Sequence, residues 1–202
     1  EARWELIGQL LARTKAAGAQ GVNIDVEGLI PADATPYTEW LSDLALRFHD
    51  EGLYVTVDLP VSGEAYDFEV IAGIADVIVV MAYDEHYAGG EPGPIASSDW
   101  FATRVDDLTH RVPPEKLIVG LGAYGYDWTT GATEPARPLS FAESMSLASE
   151  FGPWVETDAA AVNSTFAYTD YEGAEHRVWF LDAVSAWNQL ALTREWACRG
   201  VS

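Results

Sequence analysis

The fold of this chain of 202 residues is decided by the stretch Gln20-Gly21-Val22-Asn23-Ile24-Asp25-Val26-Glu27. Apolar and polar residues alternate along it, and a strand turns successive side chains to opposite faces, so Asn23, Asp25 and Glu27 share one face. Burying two carboxylates and an amide costs several kcal/mol per unpaired charge unless metal ligation, hydrogen bonding or catalysis uses the groups. The stretch therefore predicts a chemical site on one face of a strand.

The flanking residues bear on the alternative, in which Asp25 and Glu27 merely end an edge strand in water. Residues 1–17 have the pattern of an amphipathic helix, and the turn Gly18-Ala19-Gln20-Gly21 ends it directly before the strand. A helix that feeds a strand, repeated along a chain, predicts a parallel sheet covered on both faces. Ligands of such sheets bind at the carboxyl ends of the strands, where both carboxylates fall. The flanking residues therefore favour a chemical site over a strand end exposed to water.

The rest of the chain repeats this order of helix and strand. Helices are predicted at 1–17, 37–50, 65–75, 99–111, 140–150 and 182–197. Strands are predicted at 20–27, 53–59, 75–84 and 116–123, and residues 200–202 have the pattern of a further strand that begins there. Outside this order, the sequence predicts an irregular segment at 129–138 and a hairpin formed by 165–171 and 176–180.

Repeated right-handed connections of this kind curl a sheet into a barrel, so we expect a (β/α)8 TIM barrel. A complete barrel typically needs roughly 250 residues, so the chain is interpreted as a fragment that lacks about the first three strands. A small β-hairpin insertion, at about 129–181, precedes the last strand. An open doubly wound sheet is the alternative, and the sequence offers it no glycine-rich phosphate loop.

Composition excludes several classes of partner. The formal net charge is -21 with only 11 basic residues, which argues against nucleic acid and against an anionic membrane surface. A lone Cys198 excludes an internal disulfide, and no Cys/His spacing predicts structural zinc. The sequence predicts neither a cofactor nor a bound metal. The 8 Trp, 9 Tyr and 7 Phe residues suit a cleft that stacks on sugar rings, although core packing explains most of them equally well.

Three motifs, in matching order and spacing, resemble glycoside hydrolase family 18. The stretch from Gly21 to Glu27 resembles the family's fourth-strand signature D-G-x-D-x-D-x-E. Met81-Ala82-Tyr83-Asp84 resembles the sixth-strand M-x-Y-D, and Gly120-Leu121-Gly122-Ala123-Tyr124-Gly125 resembles the seventh-strand G-x-x-x-Y-G. The resemblance implies that residues 1–202 are part of a catalytic domain of this family.

Further residues resemble the branch of bacterial spore-cortex and cell-wall enzymes. They are 81–86, 92–97 and the end of the hairpin at 176–182, and they are most similar to the hydrolase-like domain fused to a polysaccharide deacetylase and a family 2 glycosyltransferase. Two signature positions differ, because Gln20 and Asn23 replace aspartates. Asn23 can still hydrogen-bond Asp25, but it cannot share a proton or a negative charge with it.

The resemblance implies a substrate-assisted, retaining cleavage of a glycan that contains β-linked N-acetylglucosamine, such as chitin, peptidoglycan or an exopolysaccharide. Glu27 would be the general acid, Asp25 would orient the acetamido group, and Tyr83 would hydrogen-bond it. Action outside the cytoplasm is implied as well. The residues expected to bind substrate are Asn23, Met81, Asp84, Tyr124, Asp58, Glu85 and Trp179.

Two other functions stay open on the sequence. One is a carbohydrate-binding barrel without catalysis, which the replacement at Asn23 allows. The other is a metal-dependent barrel enzyme in which Asp25, Glu27, Asp58 and Asp84 hold a hard divalent cation through oxygen ligands. The aromatic and Tyr-Asp motifs have no role in the metal-dependent scheme.

Overall fold

A computed structural model describes residues 2–202, which divide into two units. The first contains the described residues up to Met81 together with Asp107–Val119 and Trp196–Ser202. The second contains Ala82–Asp106 and Gly120–Glu195. The helices are α1 (Ala2–Ala16), α2 (Ala34–His49), α3 (Phe68–Ile74), α4 (Ser98–Thr109), α5 (Phe141–Phe151) and α6 (Ala183–Glu195). The strands are β1 (Gly21–Asp25), β2 (Tyr54–Pro60), β3 (Val77–Met81), β4 (Leu117–Gly120), β5 (Gly125–Thr129), β6 (Arg137–Leu139), β7 (Glu156–Thr157), β8 (Ser164–Thr169), β9 (Glu175–Phe180) and β10 (Gly200–Val201).

The predicted α/β fold with a parallel sheet is confirmed. One sheet has the order β1-β2-β3-β4-β10, and its β1–β2, β2–β3 and β4–β10 pairs are parallel. All five predicted strands are therefore present in one sheet, in chain order. The predicted helix at 1–17 is α1, except that residue 1 lies outside the described residues. The described sheet is open, with β1 and β10 at its edges.

The first unit buries the apolar face of this sheet under helices. Leu41, Leu44 and Phe48 are completely buried on one side of α2, as the helical spacing predicts. Val55 and Val57 of β2 are equally buried, while Thr56 between them is half-buried. The alternation leaves the other face of β1 and β2 for polar groups.

The second unit contains an antiparallel sheet larger than the hairpin that the sequence predicted. The hairpin itself is confirmed as β8 and β9, but the complete order is β6-β5-β9-β8-β7. The expectation that 129–138 is irregular is wrong at both ends, because β5 ends at Thr129 and β6 begins at Arg137. Strand β5, which the sequence did not predict, pairs with both β6 and β9, for example between Tyr126 and Trp179.

Helix α5, which lies between β6 and β7 in the chain, has a capping box at its N-terminus. The side chain of Ser140 accepts a hydrogen bond from the Glu143 backbone at 3.2 Å, and the Glu143 carboxylate accepts one from the Ser140 backbone at 2.8 Å. This reciprocal pair begins α5, where the sequence predicts the helix.

Among residues 2–202, none of the helices is long and apolar enough to cross a membrane.

Candidate active site

Polar side chains form a row across the ends of β1 and β2. In the strand register Asn23 lies opposite Thr56, and Asp25 lies opposite Asp58. Directly paired residues of neighbouring parallel strands project from the same face of a sheet. The sheet therefore brings Asn23, Asp25 and Asp58 together, and Glu27 follows two residues beyond Asp25.

The burial on which part of the sequence argument depended is not observed. Asn23, Asp25 and Glu27 are all exposed, because β1 is an edge strand of the described sheet. Within residues 2–202, contact with water is thus enough to satisfy the polar atoms of these three side chains, as the edge-strand alternative expects. Asp58 differs from them, because it is half-buried on β2, the strand next to the edge.

Hydrogen bonds fix the orientation of the Asn23 amide. The Thr56 hydroxyl donates to Asn23 Oδ1 at 2.6 Å, and Asn23 Nδ2 donates to Asp58 Oδ2 at 2.9 Å. The sequence allowed a bond from Asn23 to Asp25, but the amide nitrogen is directed to Asp58 instead. The asparagine that replaces a signature aspartate therefore links the two strands.

The pKa of Asp58 is raised above its ordinary value. Burial raises its pKa, the hydrogen bond from Asn23 lowers it, and the negative charge of Asp25 raises it further. Its second oxygen, Oδ1, is buried without a hydrogen-bond partner among the described residues. Burial also raises the pKa of Tyr37, whose hydroxyl is likewise buried and unpaired among the described residues.

A second group of polar side chains surrounds Asp84, in the second unit. The hydroxyl groups of Tyr124 and Tyr126 both donate to Asp84 Oδ1, the latter at 3.1 Å. Asp84 has a φ of 60°, in the left-handed region that non-glycine residues rarely adopt. Burial, assisted by Asp84, raises the pKa of both phenols, so they remain protonated donors. The two tyrosines thus hold a strained aspartate in a fixed orientation.

Aromatic rings form a continuous series beside this aspartate. Tyr83, Tyr124, Tyr126 and Trp128 contact one another in turn, with ring centroids 5.9, 5.4 and 5.4 Å apart in edge-to-face geometry. The last three are two residues apart, so they share one face of β5 and the residue before it. Trp128 is buried, so only the half-buried rings of Tyr83, Tyr124 and Tyr126 leave an edge or face that a sugar ring can contact.

The sequence profile of glycosyl hydrolases family 18 matches residues 1–193 of this chain. The chain belongs to glycosyl hydrolases family 18. The resemblance on which the three motifs were interpreted is therefore confirmed at the level of the family.

Relatives of this family 18 chain include sporulation proteins and chitinases. The cortical fragment-lytic enzyme of Bacillus subtilis (strain 168) is 30% identical over 209 residues, which cover 98% of this chain and 48% of that protein. The solved structure of a putative sporulation-specific glycosylase, YdhD, from Bacillus subtilis superposes with a TM-score of 0.94 at 28% identity, covering 99% of this chain and 69% of that one.

A chitinase from Chromobacterium violaceum ATCC 12472 also superposes, with a TM-score of 0.90 at 27% identity, covering 97% of this chain and 64% of that one. This chain spans about half the length of the cortical fragment-lytic enzyme and of the putative sporulation-specific glycosylase YdhD, both from Bacillus subtilis (strain 168). The spore-cortex branch that the sequence indicated is thus represented among its relatives.

The remaining predicted residues of the family 18 site have other surroundings. The Glu85 carboxylate accepts hydrogen bonds from Ser97 N at 2.6 Å and Ser97 Oγ at 3.0 Å, so it holds together the two ends of the loop 85–97. Trp179 is buried in an apolar cluster with Ile95 and Trp128. Met81 ends β3 opposite Pro60 and is half-buried. A role in substrate binding stays a prediction for all three.

A buried polar network on the other side of β5 was not predicted. Asp127, only 5% exposed, accepts hydrogen bonds from Tyr168 OH at 2.8 Å and lies 2.9 Å from His176 Nδ1. Arg137 lies 3.5 Å from the same carboxylate. The Tyr168 and His176 rings stack at 4.5 Å. The network holds β5, β6, β8 and β9 together. Sequence spacing gave no signal for its hydrogen bonds, because Tyr168 and His176 lie 41 and 49 residues from Asp127.

Residues beside the predicted site were also missed. Thr56 donates a hydrogen bond to Asn23, and Tyr126 donates one to Asp84. Thr56 lies two residues from Asp58, and Tyr126 lies two residues from Tyr124. The two-residue period of a strand is therefore the signal that could have found both. In the described part of the chain, no three His, Cys, Asp or Glu side chains form a group that could hold a metal ion. The metal-dependent alternative therefore has no ligand cluster within residues 2–202.

Proposed function

We propose that this chain is part of the catalytic domain of a glycoside hydrolase that cleaves β-linked N-acetylglucosamine-containing polysaccharide. The observation that carries the proposal is the pair Asp25 and Glu27, at the carboxyl end of β1 in a family 18 chain. Family members whose names state an activity, a cortical fragment-lytic enzyme and a chitinase, support cleavage of cell-wall or chitin-like glycans. Both names also support action outside the cytoplasm.

The proposed domain is a (β/α)8 barrel of which this chain supplies five strands. The order β1-β2-β3-β4-β10 follows the chain, as successive barrel strands do. The open edges at β1 and β10 are where about three further strands would complete the barrel. The antiparallel sheet is the insertion between the last two strands of this set.

In the proposed mechanism Glu27 donates its proton to the glycosidic oxygen, and the bond to the leaving sugar breaks. The acetamido carbonyl oxygen of the substrate attacks the anomeric carbon, forming an oxazolinium ion that water then opens with retention of configuration. The carboxylate of Asp25 accepts the acetamido N–H and stabilises the positive charge that develops. Glu27, now ionised, takes a proton from the water and is restored.

Tyr83 donates a hydrogen bond to the acetamido group in this scheme. Its ring packs edge-to-face on Tyr124, which is itself bonded to Asp84. Asp84 therefore acts through the two tyrosines that it binds, as a positioning residue rather than as a proton donor. The half-buried rings of Tyr83, Tyr124 and Tyr126 contact the sugar, and the buried Trp128 supports them from below.

A carbohydrate-binding barrel without catalysis is the second candidate. Asn23 favours it, because the amide is tied to Thr56 and Asp58 and cannot share a proton with Asp25. In that case the exposed carboxylates would only hydrogen-bond a glycan.

The test is hydrolysis by the full-length protein of chitooligosaccharides, peptidoglycan and poly-N-acetylglucosamine. Release of reducing ends should persist with a chelator and fall by at least about 100-fold in Glu27→Gln. NMR of the first product should show the retained anomer. The matched control is Glu115→Gln, an exposed glutamate in the turn that precedes β4, which should cleave as the wild type does.

If the wild type binds one of these glycans and never cleaves it, the binding candidate replaces the hydrolase. If a chelator abolishes cleavage, substrate assistance is replaced by metal chemistry. An inverted product would contradict the mechanism while leaving glycan cleavage in place.

A further inference from the structure

The position opposite Asp25 is occupied by a second carboxyl group. Asp58 is its direct partner in the β1–β2 register, so both side chains project from the same face of the sheet. Strands in a sheet are about 4.8 Å apart, which puts two aspartates in such a pair within reach of a shared hydrogen bond. The neighbour of Asp58 on β3 is Val79, which offers no polar group.

The neighbouring asparagine gives one oxygen of Asp58 a fixed partner. Thr56 donates its hydroxyl hydrogen to Asn23 Oδ1, so that oxygen faces Thr56 and the amide nitrogen must face Asp58. Asp58 Oδ2 thereby accepts an N–H, and the opposite arrangement would bring an amide oxygen against a carboxylate. The Asn23 bridge therefore leaves the other oxygen, Oδ1, to find a different partner.

Asp58 Oδ1 is buried and has no hydrogen-bond partner in residues 2–202. A buried acceptor without a donor is costly, whereas a protonated carboxyl turns the same oxygen into a donor. Asp25, with its carboxylate, is the acceptor that the register provides. A proton on Asp58 would give this oxygen an acceptor in Asp25.

The electrostatic surroundings of Asp58 also favour its protonated form. Burial and the negative charge of Asp25 raise the pKa of Asp58, against the opposing hydrogen bond from Asn23. From α2 the phenol of Tyr37 interacts with both aspartates, and its own pKa is raised, so it stays neutral. Tyr66, which follows β2, donates to the Val26 carbonyl at 2.9 Å and is neutral for the same reason.

We propose that Asp58 is a positioning residue that stays protonated and hydrogen-bonds the Asp25 carboxylate, replacing the carboxyl that Asn23 lacks. The proton remains on Asp58, and Asp25 keeps the negative charge that meets the acetamido N–H. This role rests on the proposed hydrolase function. The pairing itself is a property of the protein without substrate and is tested separately.

The first experiment titrates Asp58 by carboxyl 13C NMR in the full-length protein, with the signal assigned from Asp58→Asn. Its pKa should lie above the pH of the cleavage assay and fall by about 1 in Asp25→Asn, which removes both the charge and the acceptor. The control is Asp50→Asn, an exposed residue at the end of α2, which should leave the titration unchanged. A pKa of Asp58 below the pH of the cleavage assay, or an unchanged titration in Asp25→Asn, overturns the pairing.

The second experiment compares two replacements of Asp58 in glycan cleavage. Asp58→Asn keeps a neutral group that can donate to Asp25, so kcat should stay within about threefold of the wild type. Asp58→Leu cannot donate, so kcat should fall about 100-fold with little change in KM, as expected when an aligned catalytic group loses its support. Equal losses in both variants would show that Asp58 acts as an anion and would overturn the proposal.

The two experiments separate the two hypotheses. If the wild type cleaves no glycan, the proposed function fails, and the NMR titration still decides whether Asp58 and Asp25 are paired. If the wild type cleaves and Asp58→Asn is as inactive as Asp58→Leu, only the role of Asp58 fails. Should Asp58→Leu not fold, as judged by circular dichroism, the titration and the activity of Asp58→Asn remain decisive.

Discussion

Gly122 tests whether Tyr83 must be placed accurately for function. A Cβ added at Gly122 would lie 2.7 Å from Tyr83 Cβ, 2.9 Å from Ile95 Cγ2 and 3.3 Å from Tyr124 Cε1. Carbon atoms in contact are normally about 3.5–4.0 Å apart, so the methyl group must displace a neighbour by about 1 Å. Ile95 is completely buried, and Tyr83 Cβ cannot move without its own backbone, so relief of the shortest contact displaces Tyr83 as a whole.

The expected cost of Gly122→Ala has two parts. Overpacking lowers the free energy of unfolding by about 1–3 kcal/mol, which a folded domain of ordinary stability tolerates. A shift of about 1 Å in a group that holds the substrate lowers kcat/KM about 100-fold. The loss of activity should thus be seen at temperatures where circular dichroism shows a folded protein.

The assay is kcat/KM for cleavage of a chitooligosaccharide, beside two comparisons. Gly8→Ala is the control, since no atom lies within 4 Å of the added Cβ inside α1, and it should raise stability by about 0.5–1 kcal/mol without changing activity. Tyr83→Phe should lose activity by itself, and adding Gly122→Ala to it should cost little more, because both act on one phenol. Wild-type kcat/KM in a folded Gly122→Ala protein would refute this reasoning.

Three further variants probe the contacts of single residues. Asp127→Ala removes the acceptor of the Tyr168 hydroxyl and the carboxylate partner of His176 Nδ1, so urea unfolding should show a loss of about 2–4 kcal/mol, and a loss below about 1 would contradict the network. Asn163→Ala removes a completely buried amide that bonds both backbone groups of Ala96, and amide hydrogen exchange around Ala96 should quicken; unchanged exchange would argue that this amide does not fix the loop. Glu69→Gln breaks an exposed pair with Arg111, whose hydrogen bonds lower the pKa of Glu69 from 4.5 to about 2. Its contribution, below about 1 kcal/mol, should be present above pH 4.5 and disappear as the pH falls to about 2, and a contribution that grows on acidification would reverse the assigned sign.

Much of the fold could be predicted because its signals are local. The helical spacing of buried residues in α2 and the Ser140 cap of α5 each lie within a few residues of one another. The strands β6 and β7 were missed, because two or three residues with Arg, Pro, Glu or Thr carry no period of their own. They are strands only because β5 and β8 pair with them.

The site divides in the same way. The two-residue spacing of Asp25 and Glu27 puts both on one face of an extended chain, and the motif, with the sequence profile that matches it, identifies the family. The sequence could not give the link from Asn23 to Asp58 or the two tyrosines that hold Asp84. Alternation along a strand is fixed by the backbone of adjacent residues, so sequence by itself determines it. Which residues meet across strands is fixed by the register, and apolar packing sets that register between segments more than 30 residues apart, so only the tertiary structure decides it.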